Sequence, residues 1–343
     1  MGSLTIDPLG DPRWRSMLSS SSGGSVFHHP AWLRLLHATY RYPVSACCVA
    51  AEDGRLLAGL PVATVASRLT GRRLVALPFS DVCPALFVPD APLQARWELG
   101  DALSAMQRES GLPLELRAPA DVVLGASPGE RFHHHLLALE PDVEAVQRRF
   151  ARSQALRGVR RALREGLRAQ VRTDRDALAG FYRLHVATRH RLGVPTQPRR
   201  FILGLERLFD EGLGFVLLVG AGQRHVAAAV FLTCHGVLTY KYGASDPRAL
   251  AARPNNLLFM EAIRWGCGHG FRTLDLGRTH WGQQGLRAFK LAWGPEEREL
   301  RYAYVGQGGE PRARVGGTLA TLIRRSPPVA SRLIGEVLYR HAG

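Results

Sequence analysis

Lysine is almost missing from this chain. Of its 45 basic residues only Lys241 and Lys290 are lysines, and the rest are arginines. The scarcity isolates the two positions where a compact ammonium stands in place of a planar guanidinium. An ammonium is a point donor to a phosphate or a developing oxyanion. Cysteine is also sparse and badly arranged for bridging: five residues, an odd number, with no Cys-x-x-Cys spacing. That excludes a disulfide framework and a paired-cysteine metal site, and leaves Cys47, Cys48, Cys83, Cys234 and Cys267 as small buried hydrophobes in a reducing compartment. Long apolar runs are lacking as well. The longest, Val226 to Cys234, is near nine residues, far short of a membrane span, and residues 1–15 contain no signal-peptide core. The expected location is cytoplasmic, with the inner membrane face as a peripheral option.

What is present is positive charge and a substantial core. Acidic residues number 29, which leaves a formal net charge of +16, and 46% of the 343 residues are hydrophobic. The charge points to polyanions: nucleic acid, nucleotide phosphates or an anionic membrane face. Arginine on solvated surfaces is the plainer alternative for part of the excess. The length fits about two domains.

Residues 1–25 end in Ser19-Ser20-Ser21-Ser22-Gly23-Gly24-Ser25 and read as a flexible lead. A helix opens at Pro30 and runs to Tyr40. Val44–Ala51 and Leu56–Ser67 read as strands joined by Glu52-Asp53-Gly54-Arg55, followed by a strand at Arg73–Leu77, an irregular stretch to Pro92, a helix over Leu93–Ser110, and strands at Leu114–Arg117 and His133–Leu139. The order then repeats in part: helices over Asp142–Glu165, Asp174–Arg191 and Pro198–Glu211, strands at Phe215–Val219, His225–Cys234 and Val237–Tyr242, a helix over Asn255–Gly268, a strand at Thr273–Leu276, a short helix over Gln284–Leu291 and a last strand at Glu299–Val305. This is an α/β pattern of two similar halves with mixed sheets. Residues 26–140 form the first half and 141–310 the second, and 311–343 form a basic amphipathic tail in which Leu319, Leu322 and Ile323, then Leu333, Ile334, Val337 and Leu338, make apolar stripes flanked by arginine. Such helices lie on an anionic membrane or, more commonly, dock on their own domain.

Between Arg148 and Arg175 there are ten arginines and two acids. On a continuous helix, Arg157, Arg160, Arg161, Arg164 and Arg168 make one stripe, opposite Leu156, Val159, Leu163 and Leu167. Forked donors in that pattern suit a diphosphate or an RNA backbone, and equally a solvated face. His133, His134 and His135 alternate faces in a strand, which makes them a poor metal site, and no metal is expected. His280, beside Trp281, is a candidate general base.

The strings Tyr240-Lys241-Tyr242-Gly243-Ala244-Ser245-Asp246, Arg253-Pro254-Asn255-Asn256-Leu257-Leu258, Leu274-Asp275-Leu276-Gly277-Arg278, Gly285-Leu286-Arg287-Ala288-Phe289-Lys290 and Trp293-Gly294 occur in that order. They are preceded by Phe27-His28-His29-Pro30-Ala31-Trp32-Leu33, Gly59-Leu60-Pro61 and Leu77-Pro78-Phe79-Ser80-Asp81. Together, over roughly residues 26–305, they resemble the Fem-type transferases, relatives of the GNAT acyltransferases built from two tandem GNAT-like domains. The resemblance implies that fold in both halves and acyl transfer to an amine. It puts Lys290 at the reaction centre, stabilising the oxyanion, with Asp275 and Asp81 as candidates to orient or deprotonate the amine. Tyr242, Asn256 and Arg278 would border the groove, and Arg157 and Arg161 would hold phosphate. Plainer roles stand beside these: Asp275 as the cap of the Gly277 turn, Asn256 as a helix cap.

The sequence departs from a CoA-binding GNAT at Arg248-Ala249-Leu250-Ala251-Ala252-Arg253-Pro254-Asn255, which has no glycine and a proline without an amide donor. An aminoacyl-tRNA donor is therefore favoured over acyl-CoA, with no tightly bound cofactor. The acceptor would be an amine on a phosphate-bearing precursor or a metabolite. A non-catalytic accessory role in envelope polysaccharide assembly is the alternative of a different class.

Overall fold

The computed structural model describes residues 1–67, 70–118, 122–151, 153–306, 317–327, 332, 334–336 and 338–341. The chain forms two compact units, one from Met1–Phe132 with the stretch beginning at Leu300, the other from His133–Glu299 with the following helix. The boundary falls inside two strands, a little earlier than residue 140.

The first unit contains β1 (Gly2–Ile6), α1 (Pro12–Ser20), α2 (Pro30–Tyr40), β2 (Val44–Ala50), β3 (Leu56–Ser67), β4 (Gly71–Ala76), β5 (Leu86–Phe87), α3 (Leu93–Ser110) and β6 (Leu114–Leu116). β7 (Ser127–Ala138) runs from it into the second unit. Its sheet order is β1-β2-β3-β4-β6, with β5 on β3, and the β4–β6 pair is parallel across the α3 crossover. Sequence signals set the helix ends: Pro30 opens α2, and Gly111 at φ 64° closes α3. The lead expected to be flexible is instead structural. β1 pairs with β2 in register from Gly2↔Ala50 to Ile6↔Ala46, and α1 buries Trp14, Met17 and Leu18. The Trp14 indole N–H donates to the His28 carbonyl at 2.9 Å. A serine-glycine run there ends a helix; it does not free the chain before it.

The second unit contains α4 (Val143–Gln147), α5 (Ala155–Arg164), β8 (Arg168–Arg172), α6 (Arg175–Leu192), α7 (Arg199–Gly204), α8 (Glu206–Asp210), β9 (Gly214–Ala221), β10 (Arg224–Cys234), β11 (Val237–Ser245), α9 (Pro254–Gly268), β12 (Thr273–His280), α10 (Gln284–Leu291), β13 (Glu296–Val305, which crosses into the first unit) and α11 (Gly317–Arg325). The order from β7 is β7-β12-β11-β10-β9-β8. β8 to β11 are antiparallel, and β11 and β12 are parallel across the α9 crossover. His235 and Gly236, at φ 47° and 77°, make the two-residue turn between β10 and β11. The core joins Phe215, Phe231, Phe259, Trp293 and the aliphatic face of α9.

Two expectations fail here. The helix read from Asp142 to Glu165 breaks into α4 and α5, because Ala151 leaves the helical ladder to donate to the Ala292 carbonyl at 2.9 Å while Phe150 packs on Trp293. The arginine stripe is also shorter than its periodicity suggests: Gly166 at φ 76° ends the turn, and Arg168 begins β8. The buried face of α5 is Ala155, Gly158, Val159 and Ala162, and Leu163 is exposed. In the tail, α11 packs on α6 with Ile323 buried, the His190 ring bonds the Ser326 carbonyl at 2.6 Å, and Leu322 faces solvent. Leu333 and Val337, and the side chains of Leu319 and Arg340, lie outside the described residues. No helix among the described residues is long and apolar enough to cross a membrane.

Candidate active site

β12 and α10 together hold Lys290. β12 carries Gly277 at φ 70°, a left-handed conformation that suits glycine and turns its carbonyl and that of Arg278 toward α10. The Lys290 ammonium, 2% exposed, donates to these two carbonyls at 2.9 and 3.2 Å. Asp275 Oδ1 accepts from the Gly277 amide at 2.7 Å and meets the His134 ring at 2.8 Å, so it fixes the same bend from the other side. The parallel pairing of β11 with β12 covers Val237↔Thr273, Leu238↔Leu274 and Thr239↔Asp275. The bend holding Lys290 lies just beyond the last of these pairs.

The three histidines of β7 do alternate. His134 goes to Asp275, while His133 and His135 go to Glu297 of β13. Glu297 is the centre of a dense cluster. Arg287 of α10 forks onto it at 2.7 and 2.8 Å, His135 Nε2 lies at 2.9 Å, and His133 Nδ1 lies 3.3 Å away. Its carboxyl is held down to about 2, first by the Arg287 fork, against some opposing burial, then by His133 and His135. His135, fully buried, is pushed down by desolvation and then by the nearby Lys290 charge, which keeps its ring neutral. One chain of interactions thus runs from Lys290 through His135 to Glu297, Arg287 and His133. It ends at a cavity of about 300 Å³ lined by His133, Trp281, Gln284, Arg287, Glu297 and two neighbours on β13. The Trp281 ring stands 4.2 Å from that of His133, centroid to centroid, and is 46% exposed.

The other expected residues are distributed around this centre. Arg278 lies on β12 and is close enough to Tyr339 to bear on its phenol, which burial pushes up and Arg189 and Arg278 oppose. Tyr242 packs edge-on to His185 and Phe201. Lys241 occupies a β-bulge, skipped between Val230↔Tyr242 and Phe231↔Tyr240. The bulge breaks the strict alternation that would turn Lys241 away from both tyrosines, and its ammonium lies 5.3 Å from the Tyr242 ring centroid. Asn256, buried at the start of α9, donates to the Gln154 and Ala155 carbonyls at 3.2 and 3.4 Å, with Gly158 against its amide. It locks α5 to α9. Arg157, Arg160, Arg161 and Arg164 are exposed on α5, and Arg161 reaches Glu165 at 3.7 Å. Asp81 belongs to the first unit. Its carbonyl accepts from the Tyr302 hydroxyl at 2.7 Å, within a segment that Arg117 and His28 hold through the Ser80 and Pro84 carbonyls.

Residues 247–252, where a CoA-binding GNAT would offer free amides, form a short 3₁₀ helix. The Arg248 amide donates to the Asp246 carboxylate, the Ala249 amide to the Asp246 carbonyl, the Arg253 amide to Leu250 and the Asn256 amide to Arg253. Arg253 takes φ 58° directly before Pro254. Four amides of this stretch, those of Arg248, Ala249, Arg253 and Asn256, are thus spent internally.

Sequence reasoning missed His133, His135, Trp281, Arg287 and Glu297. The alternation of the histidines was legible, and Arg287 stands one helical turn before Lys290. Nothing in the sequence pairs either with Glu297, because that meeting depends on β7, α10 and β13 converging.

Residues 149–291 match the family described as an acetyltransferase (GNAT) domain. No curated protein matches the chain. Among solved structures it is similar to that of FemX, with 16% identity over 88% of this chain and 97% of the other and a TM-score of 0.65. It is also similar to L-PGS from Bacillus licheniformis, at 15% identity, 98% of each chain and a TM-score of 0.56. A third is a tandem GNAT protein from the clavulanic acid biosynthesis pathway, at 12% identity over 88% of this chain and 97% of the other, with a TM-score of 0.50. At such identities the likeness is one of fold, and it extends over both units. The chain therefore carries a GNAT acyltransferase domain over residues 149–291, in a fold that both units share with FemX and L-PGS.

Proposed function

We propose that the protein moves an aminoacyl group from charged tRNA onto a primary amine of a phosphate-bearing precursor. The observation that carries the donor assignment is that the Arg248, Ala249, Arg253 and Asn256 amides are spent on the loop itself. A diphosphate docked there would have to break bonds that the loop makes with itself. The formal charge of +16 and the exposed arginines Arg157, Arg160, Arg161 and Arg164 favour a polyanionic donor, bound through its backbone.

In this reading Lys290 supplies the fixed positive charge for the oxyanion that forms when the amine attacks the acyl carbonyl. In so buried a site an ammonium acts more strongly on a developing oxyanion than it would in water, and its two carbonyl partners hold it in place. Asp275 acts by fixing the Gly277 bend that orients Lys290. Tyr242 and Arg278 border the groove, and Asn256 fixes its wall.

Single-turnover transfer with charged tRNA and with acyl-CoA, in wild type and Lys290→Ala, tests the reading. Transfer from charged tRNA alone is expected, and it should be lost in the variant. Transfer from acyl-CoA at equal or higher rate would overturn the donor assignment, and full activity of Lys290→Ala would overturn the role of the lysine.

A further inference from the structure

His133 has an arrangement that the oxyanion role of Lys290 does not use. Its Nδ1 faces the Glu297 carboxylate, and among the described residues its Nε2 has no protein partner. A carboxylate at one ring nitrogen favours the tautomer with the proton on that side, leaving the other nitrogen as a proton acceptor. Glu297 is suited to this task because the Arg287 fork and His135 hold it ionised and fixed. The imidazole lines the cavity and packs against Trp281, which remains open to solvent. The cavity's charges also differ from those of the rest of the chain. Arg287 and Arg298 are matched by Glu297 and Glu299, so the lining is formally neutral in a protein of +16. A neutral aromatic pocket is a poor phosphate site and a good seat for an amine-bearing chain lying on an indole face.

We propose that this pocket receives the acceptor amine and that His133 Nε2 takes its proton, an inference that rests on the acyl-transfer reading above. The amine is seated as its ammonium; His133 takes one proton and passes it to solvent, the freed nitrogen bonds to the acyl carbon, and a second N–H proton passes to His133. The bond from the acyl carbon to the ester oxygen of the donor breaks, and the imidazolium returns the proton to that oxygen. The imidazole ends as it began.

The experiment compares two nucleophiles in the full-length protein with the same acyl donor: methylamine, which is protonated near neutral pH, and hydroxylamine, whose nitrogen is not. In His133→Gln the ratio of methylamine to hydroxylamine transfer is expected to fall by about 10²-fold, the lower range for loss of a positioned base. Added imidazole should restore part of it in His133→Gly. Trp281→Ala should raise KM for methylamine by roughly 2- to 5-fold, the range of an exposed cation–π contact, with kcat little changed. An unchanged ratio in His133→Gln overturns the proton-acceptor role, whether overall activity is intact or reduced by misfolding. An unchanged KM in Trp281→Ala overturns the seat. Failure of the wild type to acylate either nucleophile removes the acyl-transfer reading itself, a different result from either.

Discussion

The crossovers β4–α3–β6 and β11–α9–β12 are one device built twice, yet their buried cations are used differently. In the first unit Arg117 is closed in. It pairs with Glu115 at 2.8 Å, donates to the Ser80 carbonyl at 3.2 Å and lies over Tyr302. Every partner is part of the scaffold, and the result is a fixed irregular segment around Leu77–Cys83. In the second unit Lys290 is held by two strand carbonyls, and the carboxylate, histidines and arginine that follow it lead to an open cavity. In the proposed reading, one such charge serves rigidity and the other serves chemistry.

The largest effect expected from breaking this contrast is kinetic. Lys290→Ala should lower acyl transfer by about 10²–10³-fold, the scale of a lost oxyanion donor, read by single turnover. Arg117→Met should instead cost about 3 kcal/mol of stability through the half-buried Glu115 carboxylate it strands and the buried packing it loses, read by urea unfolding, with the activity of the folded fraction retained. A Met variant that matched wild-type stability would remove the distinction between the two cations.

The acid response of Glu297 is a finer probe. Its value in the folded protein, about 2, lies below its ordinary 4.5, so the stability it contributes is present above 4.5 and is lost as pH falls toward 2. The gap in melting temperature between wild type and Glu297→Gln should close across that window. A gap independent of pH would mean that the cluster is not held by the carboxylate's charge. The smallest effect is on binding. Replacing Arg157 and Arg161 by alanine should weaken binding to RNA of any sequence and reduce the salt slope by about one per lost phosphate contact.

Much of the architecture was readable because it follows from local rules. β3, α3 and α10 fall where alternation, a helical period and glycine stops put them, and β2, α6 and α9 within a residue or two. Misreadings came where a tertiary partner overrode the local pattern: Ala292 interrupting the helix before α5, and β2 recruiting Gly2–Ile6. Of the residues at the proposed site, Lys290 stood out by composition and motif and Asp275 by motif.

By itself the sequence determined the repeated α/β order, the excess of arginine, the glycine-free loop before Pro254 and the isolation of Lys290, since each depends only on residue type and spacing along the chain. The tertiary structure alone decided that Glu297 joins His133, His135 and Arg287 beside Trp281, and that Asp275 and Lys290 grip one bend from opposite sides. Those residues come from different strands and a helix, and their meeting is a property of how the sheet is ordered, which no local periodicity encodes.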